Sequence, residues 1–307
     1  MKTLVLGGCG FVGRHIIETF SNENMAIVVL DFHANPAHST PHCTYVAGDF
    51  SDNAKIDALM ARHSITHVIH LVSTTLPQSS NENKAYDVES NVIQTLHLLD
   101  LCVKHRVQRL LFMSSGGTVY GVPQQLPVDE KHPTNPLCSY GVSKLAVEKY
   151  LFLYRHLYGL DYVVLRAANP YGPGQNPLSG QGIVASFIHK ISTGQHLDVW
   201  GDGNVVRDYF HVRDLANLTK IALISPESGI FNAGSGQGTS INQLIDMLGS
   251  LVGRPVEVKY RKERDFDVPE IVLDCTLAES TFGWRASTTL REGINECMDY
   301  CLTRDLV

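Results

Sequence analysis

Tyr140 and Lys144 stand four residues apart in Ser139-Tyr140-Gly141-Val142-Ser143-Lys144. On a helix that spacing sets both side chains on one face, an ammonium beside a phenol. A phenol with a pKa near 10 is a poor base at neutral pH, and bringing it to about 7 takes about 4 kcal/mol at roughly 1.4 kcal/mol per unit. Nearby positive charge is what supplies that energy. The pair is therefore a candidate proton-transfer unit, with Tyr140 as base and Lys144 as its activator.

A second group of residues says what the pair works with. Gly7-Gly8-Cys9-Gly10-Phe11-Val12-Gly13 has glycines at every third position, directly after an apolar strand and at the opening of a helical pattern. Gly7, Gly10 and Gly13 permit a tight turn and let the backbone approach a pyrophosphate, while the helix start that takes in Phe11 and Val12 offers N–H groups to the anion. Asp31 follows the second strand, 18 residues after Gly13. A carboxylate there accepts from the adenosine ribose hydroxyls and repels a 2′-phosphate, which selects NAD over NADP. Gly48-Asp49-Phe50 ends the third strand and is expected to set Asp49 near the adenine amine and Phe50 against its ring. An oxidised nicotinamide beside Tyr140 would add to the positive charge from Lys144.

The elements that must carry these residues are legible as an alternation. Apolar runs at residues 3–6, 26–30, 44–47, 67–71, 109–114 and 161–166 read as strands, and 14–20, 54–63, 88–105 and 139–158 carry helical periods. Strands apolar on both faces that alternate with helices predict a doubly wound parallel α/β sheet of Rossmann type. After Arg166 the Pro/Gly-rich stretch 169–177 breaks this rhythm and predicts a second, smaller α/β lobe for the substrate. The expected division is 1–168 for the dinucleotide domain and 169–307 for the substrate lobe. Residues 205–228, a strand followed by a helix with Asp214 as candidate cap, are expected to return to the first domain.

Composition excludes several classes. With 307 residues, 44% hydrophobic and 18% charged, the chain has ample material for a folded core. A net charge of −6 asks for neither nucleic acid nor an anionic membrane as partner, and no apolar run approaches the roughly 20 residues of a membrane helix. The apolar start of the chain gives way to glycines at residue 7 and reads as a buried strand, not a leader. Seven scattered cysteines with no CxxC pair suggest reduced thiols in a cytoplasm. No residue is assigned to a metal.

Taken together, the motifs resemble the extended short-chain dehydrogenase/reductases, and among them the UDP-galactose 4-epimerase group of nucleotide-sugar enzymes. Besides the glycine turn and the Tyr140–Lys144 pair, the resemblance rests on His70-Leu71, Asn91-Val92, residues 114–121 (SSGGTVYG), residues 165–173 (LRAANPYGP), residues 207–215 (RDYFHVRDL) and Phe282-Gly283-Trp284. It covers essentially the whole chain. It implies that Leu71, Asn91 and Ser114 belong to the cofactor site, with Asn91 supporting the sheet end beside the nicotinamide, and that Asn169, Arg207 and Arg264 hold the substrate diphosphate. Two guanidiniums suit a diphosphate because each can offer paired donors. It also implies a homodimer formed by helices 88–105 and 139–158.

The implied reaction is NAD-dependent epimerisation at C4 of a UDP-sugar through a transient 4-keto intermediate, with 4,6-dehydration or simple reduction as alternatives. Three departures from the family pattern stand out. Gly116 occupies the position of the usual catalytic Ser or Thr, so the hydroxyl that meets the sugar O4 must come from a neighbour. Alternation along an extended segment favours Thr118, with Ser115 second. Residues 71–76 lack the lysine often set against the cofactor, and Ala167-Ala168 replaces a bulkier pair beside the sugar. Val272 is expected to border the sugar's C2 substituent, where a small side chain would admit an N-acetyl group.

Overall fold

The strand at Lys2–Leu6 is fully buried at Leu4, Val5 and Leu6, so consecutive residues on opposite faces both need cover. Such a strand is stable only between two layers, and each fully buried aliphatic side chain contributes about 1.5–3 kcal/mol. The computed structural model, which describes residues 1–40, 42–263 and 268–304, has that arrangement. Its first half runs β1 (Lys2–Leu6), α1 (Phe11–Ser21), β2 (Ala26–Asp31), β3 (Cys43–Ala47), α2 (Asn53–His63), β4 (His67–His70) and α3 (Lys84–Asp87). A π-helical stretch at Val88–Ile93 then leads into α4 (Gln94–Lys104), followed by β5 (Arg109–Ser115), α5 (Ser139–Tyr158) and β6 (Asp161–Ala167).

The second half runs β7 (Asn169–Tyr171), α6 (Ile183–Ser192), β8 (Leu197–Trp200), β9 (Val206–His211), α7 (Val212–Ile224) and β10 (Gly229–Ala233). It finishes with β11 (Gly238–Ser240), α8 (Ile241–Val252), β12 (Val258–Arg261), β13 (Glu270–Ile271), α9 (Thr276–Phe282) and α10 (Leu290–Arg304).

Seven strands form one parallel sheet in the order β10-β6-β5-β4-β1-β2-β3. Alternate residues of each strand feed opposite layers. Leu4, Leu6, Tyr162 and Val164 join the layer of Leu98 and Leu151, whereas Val5, Val163 and Leu165 join that of Ile16, Phe20 and Leu215. This period of two, buried on both sides, is the signature of a doubly wound sheet. A separate core around Phe187, Leu197, Tyr209 and Leu244 holds the smaller lobe. There β9 pairs with β7, β11 and β13, and β8 pairs with β12.

The segment 205–228 divides between the lobes. Its strand, β9, belongs to the small sheet. Its helix, α7, packs into the large domain through Leu215, Leu218 and Leu223, and β10 beyond it is the seventh strand, paired with β6. Asp214 is not the cap of α7. His211 caps it, its ring nitrogen accepting from Arg213 N at 3.3 Å, while the Asp214 carboxylate accepts from Ser287 and Thr288 and ties α7 to the chain before α10. No helix among the described residues is long and apolar enough to cross a membrane.

Candidate active site

A cleft of about 1260 Å³ opens where β1, β4, β5 and β6 end and the small lobe faces them. Ligands of open parallel sheets bind at the carboxyl ends of the strands. The volume exceeds the roughly 300–1,000 Å³ of a single small-molecule site, so two ligands can lie end to end. Gly7, Gly10, Phe11, Val12 and Gly13 line one end, with Leu71 beside them. Ser114, Ser115, Thr118, Tyr140 and Lys144 form the middle, and Asn169 and Arg207 border the small lobe.

The glycine turn fits a dinucleotide phosphate. Gly7 has φ +79°, a left-handed conformation that disfavours side chains, and a Cβ on Gly13 would lie 2.6 Å from both Gly7 O and Gly8 Cα. The turn can close only with glycine at both places. Helix α1 begins behind Gly10 with no side-chain cap, so its first N–H groups face the cleft. Asp31 stands at the end of β2, where its carboxylate already accepts from Cys9 N at 2.9 Å and His33 N at 2.8 Å. It thus anchors the glycine turn to the end of β2.

Other expected contacts differ. The Phe50 ring does not face outward toward an adenine: it is buried in the core, 4.9 Å from the His70 ring, because the residue after Asp49 turns in to cover β4. Asp49 is exposed and accepts from Ser51, which holds its carboxyl below the usual range. Asn91 lies in the π-helical stretch and holds the loop after β4: its Oδ1 accepts from Thr74 N at 3.1 Å and its Nδ2 donates to Thr74 Oγ1 at 3.0 Å. Ser114 commits its hydroxyl to Glu148 Oε1 at 2.6 Å, away from the cleft.

Val272 is buried with its Cγ2 2.9 Å from where a Cβ on Gly238 would sit, and it does not line the cleft. Ile271 and Leu273, on either side of it, pack on Val119, Tyr120 and Val128. Arg264 lies outside the described residues.

At the centre, burial pushes the Tyr140 phenol up to about 12; Cys138 and Asp87 reinforce this, while Ser73 and Ser115, as hydrogen-bonding groups, favour its ionised form. Lys144 Nζ lies 5.5 Å from the Tyr140 ring centroid and donates to Met113 O at 3.0 Å. Burial lowers Lys144 to about 8 against the pull of Asp87 and Glu148. The preference for Thr118 over Ser115 does not match this geometry. Strand β5 ends at Ser115, and Thr118 N and Val119 N both bond back to Ser115 O at 3.3 and 3.1 Å. The chain turns there, so alternation no longer applies: Ser115 faces the phenol, while Thr118 Oγ1 is buried with no hydrogen-bond partner among the described residues.

Several supporting residues were given no role by the sequence. Arg166 pairs with Glu148 at 2.6 Å beneath Ser114, and Asp208, next to Arg207, accepts from Ser235, Gly236 and Leu273. Glu148 thus joins α5 to the ends of β5 and β6, and Asp208 ties β9 of the small sheet to the chain that follows β10.

A doubly wound parallel sheet with an uncapped glycine turn, and a Tyr–Lys pair on the helix facing it, defines a dinucleotide-dependent enzyme of the short-chain dehydrogenase/reductase type. Residues 3–234 match the model of the NAD dependent epimerase/dehydratase family, and the chain belongs to that family. It is 38% identical over 97% of both chains to a Methanocaldococcus jannaschii protein that carries a provisional UDP-glucose 4-epimerase name. It superposes with a TM-score of 0.94 on the UDP-glucose 4-epimerase of Thermotoga maritima solved with UDP-glucose, 31% identical with both chains covered completely. The Thermus thermophilus UDP-glucose 4-epimerase, solved with NAD, gives 0.91 at 32% identity over 98% of each chain.

Proposed function

We propose that the protein interconverts the C4 epimers of a UDP-sugar. The observation that carries this reading is a single cleft in which Tyr140, Lys144 and Ser115 lie between a phosphate-binding turn and the Asn169–Arg207 border. NAD, when bound along Gly7–Gly13 with its ribose at Asp31, supplies a reversible hydride acceptor. Tyr140 removes the O4 proton and returns it, Ser115 hydrogen-bonds O4, and Lys144 keeps positive charge beside the phenol. Arg207 and Asn169 hold the diphosphate, which leaves the sugar ring as the part free to turn. Ala167 and Ala168 both line the cleft beside it and give it room.

A 4,6-dehydration would require a carboxylate acid–base pair after the strand end, where this chain has Gly116-Gly117-Thr118. The enzyme is read as cytoplasmic from its scattered cysteines, and as a homodimer. Exposed apolar side chains on α5 and the π-helical stretch support the dimer: Val142, Phe152 and Leu157 on the one, Val88 and Ile93 on the other. Mass by light scattering tests it, and a monomer at micromolar concentration contradicts it. Incubation with UDP-glucose tests the activity: the expected result is its 4-epimer without net NADH, and steady NADH formation would indicate a dehydrogenase instead.

A further inference from the structure

We propose that Asp87 is a positioning residue that fixes the Tyr140–Lys144 pair from beneath and sets its charge balance. Asp87 has no exposed surface. Its Oδ2 accepts from Ser139 at 2.8 Å and Ser143 at 2.6 Å, the residues that immediately precede Tyr140 and Lys144 on α5. Its Oδ1 accepts from Thr75 Oγ1 and from Asn91 Nδ2 at 3.2 Å. One carboxylate thereby locks the first turn of α5 to the loop that presents Ser73 to the phenol.

Among the described residues no Lys or Arg pairs directly with Asp87, so its charge rests on hydroxyls and one amide. A buried anion held that way is costly, and its field is weakly screened. It shares a small cavity of about 10 Å³ with Tyr140, Ser143, Lys144, Ser73 and His70. Around the phenol the other groups are Cys138, Ser73 and Ser115; around the ammonium, Glu148. His70 is held uncharged by burial and by Lys144, lowered to about 3.

The anion opposes ionisation of the phenol and holds the proton on the ammonium. Neutralising it must therefore move both titrations to lower pH. The inference rests on the reading of Tyr140 as base.

The test is Asp87→Asn in the NAD-loaded enzyme, with thermal unfolding to check the fold. Both limbs of the kcat–pH profile should move to lower pH by roughly half a unit or more. The Tyr140 phenolate, followed by ultraviolet difference absorbance against Tyr140→Phe, should titrate at correspondingly lower pH. Ser139→Ala/Ser143→Ala, which keeps the charge and removes two hydrogen bonds, should lower kcat by about 10- to 100-fold with limbs unmoved. Coincident profiles for Asp87→Asn and wild type overturn the charge role. Unchanged kcat in the double variant, which also serves if Asp87→Asn does not fold, overturns the positioning role. Failure of the underlying reading looks different: Tyr140→Phe would then turn over like wild type.

Discussion

Leu273 fills the volume that a side chain at residue 116 would need: a Cβ on Gly116 would lie 2.5 Å from Leu273 Cδ1 and 3.0 Å from Arg166 O. The family position for a catalytic hydroxyl is thus closed from the small-lobe side, and the hydroxyl proposed in its place is that of Ser115. Gly116→Ser should destabilise the protein by about 1–3 kcal/mol through overpacking. In a double-mutant cycle read by thermal or denaturant unfolding, Leu273→Ala should offset about 1 kcal/mol or more of that cost. Strict additivity would place the clash elsewhere.

Ser115→Ala should lower kcat by about 100-fold, the usual scale for a group that acts on the transferred proton. Thr118→Val keeps shape, removes a hydroxyl that has no partner among the described residues, and should cost less than about tenfold. Steady-state kinetics on one UDP-sugar decide between them, and the reverse ranking would return the role to Thr118.

The difference between these two hydroxyls marks where sequence reasoning stops. The alternating elements, the glycine turn at Gly7–Gly13, Asp31 and the Tyr140–Lys144 spacing were legible because each follows from a local period or a local steric demand. Which side of the chain residues 115–118 present depends on Leu273, more than 150 residues away, and no local pattern encodes that contact. Phe50 was misread for a related reason: the strand-end pattern locates the residue, but the packing of His70 decides which way its ring turns. Val272 was misplaced because it follows the end of β13 at Ile271, where packing beside Gly238 decides which way its side chain turns. Asp87 gave no signal at all and Asp208 only its place in a motif, since a buried polar hub is recognisable only once its partners have been brought together.

Lys144 makes the rate depend on alkaline pH. Burial lowers its pKa to about 8, with Asp87 and Glu148 opposing. The ammonium is present below that value and lost as pH rises through it, so kcat should fall along a limb near that pH. In Lys144→Arg the side chain stays protonated throughout. A slower enzyme whose alkaline limb has disappeared is the expected result, and an identical limb would assign it to another group.

Asp31 should govern the cofactor in two ways. Asp31→Ala removes the carboxylate that repels a 2′-phosphate and also the acceptor for Cys9 N at 2.9 Å. NAD affinity should fall about tenfold or more, and the ratio of NADP to NAD affinity should rise. Calorimetric titration of both dinucleotides checks this, and an unchanged ratio would move the ribose contact away from Asp31.

In the proposed reaction a hydride leaves C4 of the sugar and returns to the same carbon while Tyr140 moves the O4 proton. It is tested most directly with UDP-glucose deuterated at C4, analysing the product by NMR after equilibration with catalytic NAD. The expected product is the 4-epimer with deuterium retained at C4 and no net NADH, formed at least about a hundredfold more slowly by Tyr140→Phe. Loss of the label to solvent, or a 4-keto-6-deoxy product, would contradict it.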